Sequence, residues 1–310
     1  MSGSTLWRQA LLRGLGQWCD DVVRNSESTI AVVHRLRPRC PLLILSGATP
    51  GPFYHSHPHV PAEFDHLSFD LASQTESNIC TIGKIARSAG VDLARAPPQL
   101  VHWVSENGDG FESNSRTVAE VSPDLFSKHG MGGAMTLGAF ATGGNVSDRR
   151  FLLETFGMAG MVGHPLGAKR ETVRIDIEDE YDEKYFMPYV PAYLVQGLGD
   201  LVVFSLTAAT GELSAPVSGL AQVETLLAKL SQVLGEVGAS FDDVVLCWNR
   251  VADLDANEEA VLMTRSRLGF TRPLAESVLE VTESDPVGCA PDGTPLVIEY
   301  IVAAWVPRCG

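Results

Sequence analysis

The sequence predicts an α+β chain of two tandem, related domains, each a mixed β-sheet with helices packed on one face. Three observations carry that expectation. Gly219 to Trp248 reads as an amphipathic helix, a polar turn and a short apolar strand, with Leu220, Val223, Leu227, Leu230, Leu234 and Val237 recurring every three or four residues. A weaker copy runs from Leu71 to Val104, with Ile79, Ile82, Ala86 and Ala89 on one face, and the copies align on Gly90 and Gly238, 148 residues apart. The preceding strands also match, LLILSGATPG (Leu42 to Gly51) against VVFSLTAATG (Val202 to Gly211), 160 residues apart on the closing glycine.

The first copy therefore carries twelve more residues between strand and helix, an insertion confined to one loop, where a duplicated domain tolerates it. Strand–helix–strand units are common, and coincidence is the competing explanation. The shared order of elements and the common ATG-like ending favour duplication. The expected organisation is an N-terminal helical extension over 1–28, a first domain over 29–187 with inserts at 53–66 and 145–166, and a second domain over 188–310.

Bulk properties narrow the function. With 310 residues, 45% apolar and 20% charged, the chain suits two soluble domains that each bury a core. A net charge of −15 without a basic block excludes nucleic acid as a partner, because phosphate neutralisation needs clustered Lys and Arg. No apolar run approaches the roughly eighteen residues of a membrane span. The acidity fits solubility and, weakly, attraction of cationic or amine-bearing small molecules. Six scattered cysteines without a C-x-x-C spacing read as free thiols in a reducing, cytoplasmic setting. Arg8, Arg13 and the lack of any acid before Asp20 would also suit an organelle transit peptide, but the leading segment reads first as a cap helix.

Along the chain, Thr29 to Arg35 and Leu42 to Ser46 read as a hairpin around Pro38 to Pro41. In an extended segment His55, His57 and His59 would share a face, a ligand-like spacing. Pro58 and Pro61 break regular structure there, and no Cys or carboxylate completes a tetrahedral set, so the segment reads as a solvated loop without metal. Phe111 to His129 is an expected helix and Met131 to Thr142 a Gly-rich strand. Gly130 to Gly133 lacks the full G-x-G-x-x-G and precedes a strand, so it signals close backbone packing rather than a phosphate site. Asn145 to Leu166, with its core RRFLLETFGMAGMVG, reads as a short helix and apolar turn, an oligomer contact or pocket lid. TVRIDIE (Thr172 to Glu178) alternates as a half-exposed strand. The acidic run from Glu178 to Glu183 and Pro188/Pro191 form a solvated passage. Glu258 to Leu268 (helix), Ala275 to Thr282 (strand), a Pro-Gly turn and Leu296 to Trp305 (strand) close the chain.

The second copy resembles the Rid (YjgF-like) family of imine and enamine deaminases through the helix Leu220 to Val237, GASFDDVVLCWNRVADLD (Gly238 to Asp255), AESVLEV (Ala275 to Val281) and LVIEYIVAA (Leu296 to Ala304). A two-copy chain with VRIDIE near its middle also resembles the chorismatases, two-domain relatives that release pyruvate from chorismate. The resemblance implies two Rid/chorismatase-like domains, a homotrimer with clefts between subunits, a small-molecule substrate and no cofactor. It places the family's strand glutamate at Glu299, a catalytic acid, and gives Asp176 as its counterpart in the first copy. Where Rid deaminases carry a carboxylate-holding arginine, this chain has Glu276, which reverses the charge. At ~4 Å and an effective dielectric near 20 that reversal is worth about 4 kcal/mol in either sense. Arg250, Arg265, Arg267 and Arg272 are the candidate substitutes, and Trp248 and Cys289 complete the candidate substrate contacts. The expected function is acid–base hydrolysis or elimination on an imine- or enamine-type metabolite, with a chorismatase-like reaction or a non-catalytic binding protein as alternatives. No P-loop, complete dinucleotide fingerprint, H-E-x-x-H or G-x-S-x-G motif proposes another chemistry.

Overall fold

Strands that are apolar on both faces need cover on both sides, and that requirement sets the layers of this protein. The computed structural model describes residues 3–25, 28–56, 59–145, 148–177, 190–257, 260–261, 275–283 and 285–308. The chain begins with α1 (Gly3–Gly16), β1 (Cys19–Asn25), β2 (Val33–Pro38) and β3 (Leu42–Leu45). It continues through α2 (Leu71–Ser88), β4 (Gln99–Ser105), α3 (Phe111–Lys128), β5 (Met135–Thr142), β6 (Gly144–Asn145), β7 (Leu153–Gly160) and β8 (Glu171–Ile175). After β9 (Ala192–Gln196) and β10 (Gly199–Thr207) come α4 (Gly219–Glu236), β11 (Val244–Val251), β12 (Glu276–Glu280) and β13 (Ile298–Pro307).

Two mixed sheets result. One has six strands in the order β5-β4-β7-β3-β9-β8, the other seven in the order β1-β2-β10-β13-β11-β12-β6. The run β5-β4-β7-β3 (parallel, then antiparallel twice) has the same order and senses as β12-β11-β13-β10. Helices cover the outer faces. Val223, Leu226, Leu230 and Val233 of α4 pack on Val202, Phe204, Tyr300 and Val302. Ile79 and Ile82 of α2 and Phe126 of α3 pack on Leu43, Leu45 and Leu100. The inner faces meet in a third core containing Trp103, Phe156, Trp248 and Trp305, with Leu11 and Leu15 of α1 at its margin. Each fully buried aromatic or leucine there contributes about 2–3 kcal/mol of burial, so this seam joins the sheets firmly.

Local signals explain the helix limits. The Asp70 carboxylate accepts from the Ser73 N–H at 2.9 Å, and the Ser218 hydroxyl accepts from the Ala221 N–H at 3.3 Å, which caps α2 and α4. Both helices close on a glycine in the left-handed region, Gly90 (φ +68°) and Gly238 (φ +76°), the residues on which the two sequence stretches align.

Several expectations need correction. Thr29–Arg35 and Leu42–Ser46 do not form a hairpin: β2 pairs with β1 and β10, while β3 pairs with β7 and β9. Pro38 and Pro41 cannot donate to a ladder beginning at the turn, and the chain instead crosses to the other sheet. β9 and β10 make the reciprocal crossing. The stretch read as a helix and lid at 145–166 contains β7, a buried strand between β4 and β3. The loop at 53–66 is not simply solvated, because Tyr54, His55 and Phe64 are buried and His55 packs edge-on against Phe64. β1 and β9 were not anticipated. The boundary at 187/188, the acidic run and most of the helix expected at 258–268 lie outside the described residues. Among the described residues no helix is long and apolar enough to cross a membrane.

Candidate functional site

On β13 the residues alternate between the α4 side and the inter-sheet side. Glu299, Ile301, Ala303 and Trp305 face the other sheet. Opposite Glu299 on β11 stands Arg250, and its Nη1 donates to Glu299 Oε2 at 2.8 Å. Arg250 Nη2 donates to the Asp285 carbonyl at 2.8 Å and lies 2.9 Å from its carboxylate, in the loop between β12 and β13. The guanidinium sits 5.9 Å from the ring centre of Trp103, which belongs to the other sheet. Burial pushes the Glu299 carboxyl up to about 7; Arg250 opposes that shift and Asp285 reinforces it. Glu299 is 3% exposed, and the Asp285 side chain, 13% exposed, is the more solvated carboxylate.

A second buried carboxyl faces the same seam from the six-stranded sheet. Glu154 on β7 accepts from Ser277 Oγ of β12 at 2.5 Å, and the Asn145 amide donates to its other oxygen. Burial raises this carboxyl to about 7, against the lowering effect of both hydrogen bonds. Gly47 lies against it, and a Cβ there would overlap both Glu154 Oε1 and Ser277 Oγ. Trp103 stands across from Glu154 on β4, and Trp248 across from Ser277 on β11. The rings of Trp103 and Trp248 meet edge to face at 6.1 Å, and Phe156 closes on Trp248 at 4.6 Å.

This arrangement offers two carboxyls that stay partly protonated near neutrality, one buried cation and an aromatic wall. Two donors in it, Trp103 Nε1 and Arg250 Nε, have no hydrogen-bond partner among the described residues. Unclaimed buried donors cost about 1–3 kcal/mol each.

No family model and no curated protein sequence matches the chain. Solved structures do: the YjgF gene product of E. coli shares 21% identity over 36% of this chain and 84% of its own, with a TM-score of 0.29. NMB1025, a YjgF-family protein of Neisseria meningitidis, shares 15% over 36% of this chain and 87% of its own (TM-score 0.28), and the Rid-family protein YyfA of Yersinia pestis 17% over 36% and 86% (TM-score 0.28). About 36% of this chain resembles Rid structures.

Of the residues expected at a Rid-like site, Glu299, Arg250 and Trp248 come together. Arg250 is not a free anchor, since both its outer nitrogens are committed. Glu276 is buried, but it accepts from the Asn249 amide on the α4 face of its sheet, opposite to Glu299. The inverted anchor and the strand glutamate therefore do not share a crevice. Asp176 follows the edge strand β8, paired with Arg174 at 2.7 Å and half-exposed. It is not the counterpart of Glu299. By strand and face that place belongs to Glu154: each is the second residue of its central strand and points into the seam. Cys289 lies exposed in the loop before β13. Arg272, Arg265 and Arg267 lie outside the described residues, as does His57, and no group of three His, Cys, Asp or Glu side chains converges among the described ones.

Glu154, Asp285, Ser277, Asn145 and Trp103 were missed. For Glu154 a signal existed: a single acid inside the apolar run FLLETF, of strand length, marks a carboxylate carried into a core.

Proposed function

We propose that this protein is a cofactor-independent enzyme that uses Glu299 as a proton donor in hydrolysis or elimination on an imine- or enamine-type metabolite. The observation that carries the reading is a carboxyl with a pKa of about 7 on a central strand, oriented by Arg250 beside a buried indole. An acid poised near the working pH is the form in which a carboxyl protonates carbon or nitrogen at neutrality. For an enamine, Glu299 delivers its proton to the β-carbon, and water adds to the resulting iminium carbon, returning a proton to Glu299. The carbinolamine then expels ammonia to leave the ketone, and Glu299 ends protonated as it began. The same proton delivered to the methylene carbon of an enol ether, with water adding to the resulting oxocarbenium carbon, would give a hemiketal whose C–O bond breaks to release pyruvate and an alcohol, the chorismatase-like alternative.

We further infer that the two sheets are tandem copies of one Rid-like unit; their matched strand order and senses support it. The test is incubation of the full chain with 2-imino acids generated in situ, and with chorismate, followed by ammonia and pyruvate assays. Turnover of neither by the native protein, under conditions where a Rid deaminase turns over, would remove the named reactions. A second reading, a ligand-binding protein without turnover, is favoured by the commitment of Arg250 to Glu299 and Asp285. It predicts saturable binding that Glu299→Gln leaves intact and no chemistry.

A further inference from the structure

The outer face of the six-stranded sheet holds a separate cavity of about 430 Å³ between α3 and β5, within the size range of small-molecule sites. Its floor is His102 and its walls include Ala119, Ser122, Pro123, Phe126 and Thr136. Among the described residues no Lys, Arg, Asp or Glu lines it. His102 faces away from the Glu299 cluster, so this cavity is independent of the reaction proposed above.

A chain of hydrogen bonds sets the polarity of the floor. The Asn78 amide donates to Thr155 Oγ1 at 3.2 Å, and Thr155 Oγ1 lies 3.0 Å from His102 Nδ1. The Thr155 hydroxyl accepts from Asn78, and we assign its own hydrogen to Nδ1, the acceptor within its reach. Burial pushes His102 down to about 4, so the ring is neutral, and its proton resides on Nε2. Nε2–H then donates to Thr136 Oγ1 at 3.1 Å. Among the described residues the Thr136 hydroxyl hydrogen meets no acceptor, which leaves it available to the cavity.

The wall supplies the complementary group. Pro123 lies inside α3 and has no N–H to give the carbonyl of Ala119, one turn earlier. Both residues line the cavity. A hydroxyl donor at Thr136, a helix carbonyl at Ala119 that Pro123 cannot satisfy and no charged side chain among the described lining residues describe a site for a neutral guest.

We infer that the cavity under α3 is a binding site for a small uncharged molecule carrying an amide or hydroxyl group on an apolar body. The experiment uses three probes of one shape, benzamide, benzoate and benzamidinium, titrated against the full chain by ligand-observed NMR. Saturable binding of benzamide, with the two charged probes at least ~10-fold weaker, is the expected result. Thr136→Val keeps the shape and removes the hydroxyl, and should weaken benzamide about five- to tenfold. Ala119→Leu, on an exposed stretch of helix, should block binding while the circular dichroism spectrum stays native. Absence of saturable benzamide binding overturns the inference. So does equal binding of benzoate, or binding unchanged in both variants.

Discussion

Glu154 and Glu299 occupy matched places in the two sheets: each is the second residue of the central antiparallel strand and points into the seam between them. Each carboxyl is held at about 7 by burial, yet their neighbours differ. Glu299 has a cation, Arg250, while among the described residues Glu154 is met by neutral donors, Ser277 and Asn145. The same burial thus yields two acids with separable roles.

Glu299→Gln keeps the shape but removes the transferable proton. Turnover of the proposed substrates should fall by about 10²- to 10⁴-fold, the range for loss of a general acid. Binding should change little. A fall in affinity without a fall in turnover number would contradict the assignment, and steady-state kinetics reads the split.

Glu154 should couple stability to pH. Its folded pKa of about 7 lies above the ordinary 4.5, so the folded state binds the proton more tightly than the unfolded one. That contribution is fully present below pH 4.5 and is lost as pH rises through 7, at a cost of about 3 kcal/mol. Glu299 acts in the same direction. Glu154→Gln should flatten this part of the profile, measured by urea unfolding between pH 5 and 8 (about that window).

Arg250→Met should raise the pKa of Glu299 further, because Arg250 is the largest influence lowering it. If Glu299 must be protonated to act, the alkaline limb of the pH–rate profile moves up by about one unit or more. The variant also leaves Asp285 without its buried partner, so a loss of about 3–5 kcal/mol in stability is expected beside the kinetic shift.

Gly47→Ala should be costly for its position. The added methyl overlaps Glu154 Oε1 and Ser277 Oγ, and one of them must move. A loss of about 1–3 kcal/mol with overpacking is expected. Calorimetric unfolding measures it, and Gly132→Ala, where a Cβ meets nothing, provides the control.

The sequence by itself determined α1 to α4, the glycines that close α2 and α4, and the strands β10 to β13. Apolar spacing, Asp70 and Ser218 caps and left-handed glycines act within a few residues of chain, and local patterns record local forces. Glu299 was legible as a candidate for a different reason, the resemblance of LVIEYIVAA to the glutamate-bearing strand of the Rid family.

Only the tertiary structure decided which sheet each strand joined. β2 and β3 are adjacent in sequence yet lie in different sheets, because strand partners are chosen by burial on both faces rather than by the connecting turn. That choice turned FLLETF from an expected helix into β7 and brought Glu154 opposite Ser277. It also sent Glu276 to the α4 face, away from Glu299. A side-chain period of two means that one residue of register decides which core a carboxylate enters, and distant partners set that register.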